Sequence, residues 1–153
     1  MKIINLKQKP EYLEELAIWH QQEWSNLNPG QTLQDRILKM QAYLNNEFIP
    51  TTYVAVENQL MGSAAIIECD MEDRKELSPW LASVYVAPEF RRQGVGEKLV
   101  KEVMQQAREH GFKKLFLYTP DQELFYKKNR WEIIEQVAYH GQNVTIMSAD
   151  LNV

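Results

Sequence analysis

The stretch that most constrains this chain is WLASVYVAPEFRRQGVGE, at residues 80–97. Its first part is rich in residues that favour strands, namely Leu81, Val84 and Val86. Pro88 then ends the strand, because proline has no backbone N–H for the sheet ladder. A helical pattern begins at Gly96 and ends before Gly111, which suits the left-handed position after a helix. The stretch therefore predicts a strand, a sharp break and a glycine-rich entry into a helix.

The glycine-rich entry predicts a binding site for a phosphate or pyrophosphate. Free N–H groups gather at a helix N-terminus, and the helix dipole adds partial positive charge there. Gly94 and Gly96 let the backbone approach a ligand closely, while Arg91 and Arg92 add fixed positive charge. An ordinary strand-to-helix loop is the alternative interpretation, because two glycines alone are a weak signal.

Two common phosphate-binding patterns do not match this entry. The Walker pattern needs Lys and then Ser or Thr after its last glycine, but Glu97 follows Gly96. The Rossmann pattern needs a third glycine where Leu99 stands. The pattern Arg/Gln-x-x-Gly-x-Gly/Ala is met by Arg91, Gly94 and Gly96, and YVAPEFRRQGVG resembles the acetyl-CoA signature of the GNAT superfamily of N-acetyltransferases. The resemblance covers the C-terminal half of the chain and, more weakly, the N-terminal half.

The resemblance implies that acetyl-CoA is the cofactor and where it lies. The pantetheine arm would occupy a gap between two splayed strands, 81–86 and 115–119, and pair with the backbone of the first. A backbone N–H near Val86 would polarise the thioester carbonyl. The implied cofactor-binding residues are Val84, Tyr85, Val86, Arg91, Arg92, Gln93, Gly94, Val95, Gly96, Thr119, Gln122 and Phe125. Thr119 stands where many family members carry asparagine, so that contact is expected to be weaker.

The resemblance also implies that Tyr126 is the general acid that protonates the leaving thiolate. Tyr126 lies in DQELFYKKNRW, which resembles the family segment FYxxxGF/W. A tyrosine with a pKa of ~10 is protonated at neutral pH and can donate a proton. Arg130 replaces the family's glycine, and Asn129 is predicted to take the left-handed turn conformation instead. A packing tyrosine with a satisfied hydroxyl is the alternative interpretation.

No motif marks the general base. The strand 81–86 contains no acidic residue, so we expect deprotonation of the amine through water, relayed by a group elsewhere. Glu68, at the end of its predicted strand, is the carboxylate predicted for this catalytic role, with His20 and His140 as alternatives. The acidic loop that follows contains Asp70, Glu72 and Asp73. This loop either attracts a cationic substrate or is simply solvated.

Composition narrows the class of protein. The 153 residues suit one domain spanning 1–153, with 44% hydrophobic and 25% charged residues, as is ordinary for globular proteins. A net charge of -4 argues against a nucleic-acid partner, which usually needs a basic face. Cys69 is the single cysteine, which favours a reducing compartment, and its spacing to the histidines predicts no metal site. No apolar run approaches ~20 residues and the N-terminus does not resemble a signal peptide, so we expect a cytoplasmic protein without a membrane partner.

The hydrophobic periodicity predicts an α+β fold with the order β-α-α-β-β-β-α-β-α-β-β. The expected strands are 2–6, 51–57, 60–68, 81–86, 114–119, 131–139 and 142–151. A first helix is expected from Pro10, and a second from a capping box of Thr32 and Asp35 to about Asn45. The inward residues of the second helix are predicted to be Leu33, Ile37, Met40 and Leu44. The order matches the GNAT fold, which implies a mixed, mostly antiparallel central sheet of about seven strands flanked by about four helices.

We therefore expect an acetyl-CoA-dependent N-acetyltransferase that acetylates a primary amine of a small molecule by direct attack on the thioester. Acetylation of a protein or peptide N-terminus is one alternative, since TPDQELFY with Trp24 loosely resembles the actin N-terminal acetyltransferase. A non-catalytic acyl-CoA-binding module is another. Aromatic candidates for acceptor contacts are Trp19, Trp24 and Tyr139. A homodimer is also predicted, because the last hairpin would present a sheet edge with Val144, Ile146 and Met147.

Overall fold

A single sheet of seven strands organises the computed structural model, which describes residues 1–152. The strands are β1 (Lys2–Asn5), β2 (Thr51–Val56), β3 (Leu60–Ile67), β4 (Trp80–Val86), β5 (Lys114–Thr119), β6 (Glu132–Tyr139) and β7 (Gln142–Asp150). The helices are α1 (Leu13–Trp24), α2 (Leu33–Met40), α3 (Val95–Glu109) and α4 (Glu123–Lys128). The strand order is β1-β2-β3-β4-β5-β7-β6, and every pair except β4–β5 is antiparallel. This confirms the predicted α+β class and its mixed, mostly antiparallel sheet.

The ends of the helices follow local signals in the sequence. The capping box is present, because the Thr32 hydroxyl accepts the Asp35 N–H at 3.1 Å and the Asp35 carboxylate accepts the Thr32 N–H at 3.0 Å. The first helix was predicted to begin at Pro10, but Pro10 begins a 3-10 turn and the α-helix α1 starts at Leu13. The second is shorter, since α2 gives way to a 3-10 turn at Gln41. Leu33 was predicted to face inward, which is wrong: at the start of α2 it lies exposed.

The core has two layers, one on each face of the sheet. On β2, Tyr53 and Ala55 pack with the apolar stripe of α3, whereas Val54 packs with α1 and α2. Successive residues of a strand point to opposite faces, so α3 covers one face and α1 and α2 cover the other. The apolar stripe of α3, with a buried residue every three to four positions, consists of Val95, Leu99, Val100, Val103 and Ala107. Both faces of the central strands are therefore buried, which explains their nearly continuous hydrophobic sequence.

The sheet opens between β4 and β5. These parallel strands pair only at Trp80 and Phe116, with the Phe116 N–H bonded to the Pro79 carbonyl at 3.0 Å. On its other side, β4 meets β3 through a register shift, and Ser83 takes a left-handed φ of 52°. The last four residues of β4 are partly exposed. The bulge and the single pairing together leave one side of the end of β4 without a neighbouring strand.

The predicted dimer surface does not lie at an edge of the sheet. Strand β7 sits between β5 and β6, and its residues Val144, Ile146 and Met147 are at most 3% exposed. The placement of these residues at an edge is wrong because β7 is the inner strand of the hairpin, paired with β5. The outer strand of the hairpin is β6, where Ile133 and Ile134 are exposed, and the homodimer itself stays a prediction.

Within residues 1–152, each helix is too short or too polar to span a lipid bilayer. The same residues contain no group of three or more His, Cys, Asp or Glu side chains that could hold a metal ion.

Candidate active site

A cavity of about 1330 Å³ lies where β4 and β5 separate. Its walls come from α1, α2, the end of β4, the start of α3, the end of β5, α4, the acidic loop and the final hairpin. The cavity brings together all of the site residues predicted from sequence except Gln93. The Gln93 side chain instead donates to the carbonyl of Glu89 at 3.2 Å. Residues that are up to 58 positions apart in sequence, Glu68 and Tyr126 among them, thus line one space.

The entry to α3 leaves its N-terminal N–H groups open to a ligand. Gly94 is the residue that precedes α3, and no side chain caps the helix there. Its φ of 81° and the φ of 65° at Arg92 place two left-handed residues close together. A side-chain carbon built on Gly94 would meet no atom within 4 Å. Such a run of backbone N–H groups at a helix N-terminus forms a concave site suited to an anion.

The two arginines of the entry have different surroundings. Arg91 donates from Nε to the Val86 carbonyl at 2.8 Å, and its guanidinium lies 5.6 Å from the centre of the Tyr85 ring. This cation–π contact and hydrogen bond brace the end of β4. Arg92 is exposed and takes part in none of the four ion pairs among residues 1–152, so its charge is available to an anion.

Tyr126 is held rigidly at the inner wall of the cavity. The side chain is 7% exposed, and its ring packs edge-on against Phe125 at 5.0 Å and Trp131 at 5.9 Å. Burial, with a smaller contribution from the charge of Asp121, raises the pKa of the Tyr126 hydroxyl above its ordinary value. The hydroxyl is therefore fully protonated at neutral pH, as a proton donor must be.

The turn after Tyr126 differs from the predicted one. Arg130 itself takes the left-handed conformation, with φ of 72°, and Asn129 remains at φ of -102°. The prediction for Asn129 is wrong because its side-chain amide caps the helix, donating to the Phe125 carbonyl at 2.8 Å. The Trp131 N–H then bonds the Tyr126 carbonyl at 3.1 Å and closes the turn. The tight turn is thus kept without glycine.

The hydroxyl of Thr119 already takes part in a hydrogen bond within the chain. Its hydroxyl accepts the N–H of Gln122 at 3.0 Å, and the residue is 5% exposed. Thr119 thereby links the end of β5 to the start of α4, which carries Tyr126. A hydroxyl used in this way has less capacity for a ligand than a free asparagine side chain.

The three residues predicted as base candidates have unequal surroundings. The side chain of Glu68 is exposed at the end of β3, and His140 is exposed in the turn between β6 and β7. His20 is 2% exposed, with Nε2 3.0 Å from the Ser63 hydroxyl, which donates to the Ser83 carbonyl at 3.0 Å. Burial, together with the nearby charge of Arg36, lowers the pKa of His20 to about 3. His20 is therefore a neutral imidazole that ties α1 to the bulge of β4.

Asp70, which the sequence analysis placed in the acidic loop without a catalytic role, differs in its surroundings from an exposed loop carboxylate. The residue is half-buried in the cavity wall, and burial raises the pKa of its carboxyl to about 7, with Lys39 opposing the shift. Its charge in turn raises the pKa of three tyrosines that face it, after the larger effect of burial on each: Tyr43, Tyr118 and Tyr139. These tyrosines come from three separate parts of the chain, so no sequence spacing could reveal the cluster.

The predicted aromatic residues divide between two places. Trp19 and Trp24 lie 5.6 Å and 6.0 Å from the Tyr85 ring, and of the two only Trp24 lines the cavity. Tyr139 also lines the cavity, and its ring lies edge-on to Tyr118 at 5.4 Å. Trp24, Tyr85 and Tyr139 thus supply aromatic surface to the space around the end of β4.

Comparison with known families gives one match. A model of the family described as "Acetyltransferase (GNAT) family" matches residues 13–129. These residues include the glycine-rich entry, Asp70 and Tyr126. No match was found among curated protein sequences.

Solved structures with the same fold include three N-acetyltransferases. An aminoglycoside 6'-acetyltransferase type Ii superposes with a TM-score of 0.78 at 17% identity, covering 99% of this chain and 97% of that one. An aminoglycoside 6'-N-acetyltransferase complexed with coenzyme A gives 0.77 at 14% identity, with the same coverage of 99% and 97%. A ribosomal-protein-alanine N-acetyltransferase from Brucella melitensis gives 0.74 at 18% identity, covering 98% and 99%. At these identities the likeness is one of fold.

Proposed function

Because the chain belongs to the acetyltransferase (GNAT) family, we propose that it transfers the acetyl group of acetyl-CoA to a primary amine of a small molecule. In this reaction the amine attacks the thioester directly. The observation that carries the proposal is the single cavity in which the open N-terminus of α3 and the buried Tyr126 face the gap between β4 and β5.

The residues at the cavity mouth fit a CoA thioester. The uncapped N–H groups around Gly94 and the free charge of Arg92 suit a pyrophosphate. The unpaired side of β4, from Ser83 to Val86, offers backbone groups to an amide-containing arm. A backbone N–H near Val86 would polarise the carbonyl. Bound acetyl-CoA would supply the acetyl group in activated form.

Tyr126 is the proton donor in the proposed reaction. Tyr126 is buried, carries a protonated hydroxyl and is one of the residues that line the cavity; it lies on α4, which Thr119 anchors to the end of β5. A thiol has a pKa near ~8.5, so the leaving thiolate departs without help, and protonation accelerates its departure. General acids in such roles typically contribute about 10²–10⁴-fold.

We propose a small cationic amine, rather than a protein N-terminus, as the acceptor. The support for this choice is the group of carboxylates in the cavity wall, Glu23, Glu68, Asp70 and Glu72, which share that wall with Arg36 and Lys39. Two of the structurally similar enzymes are aminoglycoside acetyltransferases, whose substrates carry several amino groups.

Thiol release from acetyl-CoA tests the proposal directly. The acceptors are kanamycin, spermidine and a peptide with an N-terminal alanine, and acetyl-CoA binding is measured in parallel by calorimetry. We expect binding of acetyl-CoA and thiol release that depends on kanamycin or spermidine. Release with the peptide alone would assign the chain to protein N-terminal acetylation, and a failure to bind acetyl-CoA would refute the proposed function.

A further inference from the structure

The carboxylate of Asp70 lies in the cavity without a salt-bridge partner. The four ion pairs among residues 1–152 are formed by other groups, and the nearby Lys39 acts on Asp70 only through space. A partly buried carboxylate without a counter-ion is costly, because water has been removed and no opposite charge replaces it. In this cavity, a positively charged ligand can supply the missing counter-ion.

Three tyrosines share the cavity wall with Asp70 and are near enough for its charge to raise the pKa of each. Tyr43 follows α2, Tyr118 is on β5 and Tyr139 is at the end of β6, and all three line the cavity. Tyr118 lies edge-on to Tyr139 at 5.4 Å. An alkylammonium is attracted by a carboxylate and also by the faces of tyrosine rings. The pocket thus has the composition that recognises an organic cation.

Asp70 is connected to the reacting end of the cavity through Tyr43. The Tyr43 side chain is close to the side chains of both Thr52 and Ser83, and it also senses the charge of Asp70. Ser83 is the bulged residue of β4, where the strand turns away from β5. A cation held by Asp70 therefore lies in the same cavity as the end of β4 and the entry to α3 at Arg92 and Gly94.

We propose that Asp70 binds the ammonium group of the acceptor and is the general base that removes its proton. This inference rests on the proposed acetyltransferase function. It assigns the role of general base to Asp70 in place of Glu68, because Glu68 is exposed whereas Asp70 is partly buried.

The charges around Asp70 determine how it responds to pH. Burial is the main effect and raises the pKa of the Asp70 carboxyl to about 7, while Lys39 on α2 lowers it. The charge of Asp70 also acts on Tyr43, Tyr118 and Tyr139, and the other charged groups in this part of the cavity lining are Glu68, Glu72 and Arg36. The tyrosines remain neutral below pH 8, because burial raises the pKa of each. A base is most effective when its pKa lies near the working pH, which Asp70 satisfies.

The step balances without a further reactant. The ionised carboxylate takes one proton from R–NH3⁺, and the nitrogen lone pair forms the C–N bond to the carbonyl carbon of the thioester. The C–S bond breaks and its electron pair goes to sulfur, which receives a proton from Tyr126. Nitrogen loses its second proton, which restores the Tyr126 hydroxyl through solvent, and the proton on Asp70 goes to bulk water. The products are an N-acetyl amine, a thiol and one proton.

The test compares Asp70→Asn with a matched change in the same loop, Asp73→Asn, whose residue is exposed and lies outside the cavity wall. Thiol release is followed from about pH 5.5 to 8.5 with kanamycin and with spermidine, and acetyl-CoA binding is measured for each protein. Wild type and Asp73→Asn should show kcat/KM rising through an inflection near the Asp70 pKa of about 7. Asp70→Asn should lose this inflection and about 10²-fold or more of kcat/KM, with unchanged acetyl-CoA affinity.

The outcomes separate this inference from the proposed function. An Asp70→Asn protein that keeps the inflection and its rate overturns the role of Asp70 while leaving the acetyltransferase intact. Loss of the inflection in Glu68→Gln instead would return the base to Glu68. A wild-type protein that binds acetyl-CoA but acetylates neither polyamine refutes the cation site, and one that does not bind acetyl-CoA refutes the proposed function itself.

Discussion

At the scale of single residues, the Tyr126 hydroxyl is the group whose contribution is easiest to isolate. Tyr126→Phe keeps the ring contacts with Phe125 and Trp131, so acetyl-CoA affinity should barely change. We expect kcat to fall by about 10²-fold, the lower end for a general acid, because a thiolate is already a fair leaving group. Steady-state turnover under conditions where chemistry is rate-limiting measures the effect.

A second buried tyrosine provides the control for this change. Tyr53 is 6% exposed, packs in the same core cluster and does not line the cavity. Tyr53→Phe should therefore leave kcat unchanged. Full activity in Tyr126→Phe would make its hydroxyl structural, and a collapse of cofactor binding would mean that the side chain holds the site together.

The carboxyl of Asp70 should also make the stability of the folded protein depend on pH. Its pKa of about 7 in the folded state lies above the ordinary value of 3.8, so the folded state binds more protons between these two pH values. Stability that Asp70 contributes at low pH is therefore lost as pH rises through about 7. Asp70→Asn should raise the melting temperature relative to wild type at about pH 8 and have less effect at about pH 4. The opposite pH trend in thermal melts would show that the carboxylate is stabilised in the fold.

At the scale of elements, the two ends of α3 offer a matched pair of glycines. Gly94 and Gly111 have φ of 81° and 90°, and a side-chain carbon at either meets nothing within 4 Å. Gly94→Glu and Gly111→Glu should thus impose similar backbone strain and similar losses of stability. Only Gly94→Glu places a carboxylate at the proposed pyrophosphate site, so it alone should abolish acetyl-CoA binding in calorimetry. Equal affinities of the two variants would exclude this helix N-terminus as the site.

Elements were predictable from sequence where their signals are local. The capping box of Thr32, the break at Pro88 and the left-handed Gly111 each act within a few residues, and the structure contains all three. The features that the sequence did not predict correctly depend on contacts between residues far apart in the chain. The interior place of β7 depends on its pairing with β5, 26 or more positions away, and the tyrosines on which the charge of Asp70 acts come from three separate parts of the chain. Gly62 likewise carries no local signal, yet a side-chain carbon there would lie 2.5 Å from the Tyr85 carbonyl oxygen.

At the scale of the whole molecule, the sheet consists of two parts joined by little backbone pairing. Strands β1–β4 form one part, β5, β7 and β6 form the other, and the only pairing between them is at Trp80 and Phe116. A ligand in the gap contacts both parts and binds only the folded state. Acetyl-CoA at 100 times its dissociation constant should stabilise the fold by about 2.7 kcal/mol. Thermal melts with and without acetyl-CoA measure this shift, and adenine alone, which lacks the pantetheine arm, should give less at the same concentration.

The hydrogen-bonded chain from His20 through Ser63 to the carbonyl of Ser83 has a consequence for how the protein responds to its surroundings. With a pKa of about 3, His20 keeps the same protonation state over the whole physiological range. The hydrogen bonds that hold the bulge of β4 at Ser83 therefore do not change with pH in this range. Asp70, whose pKa is about 7, changes charge within that range and lies in the wall of the same cavity. In the proposed reaction, acidification therefore alters the charge offered to the acceptor, while His20 holds the bulge of β4 in the same way.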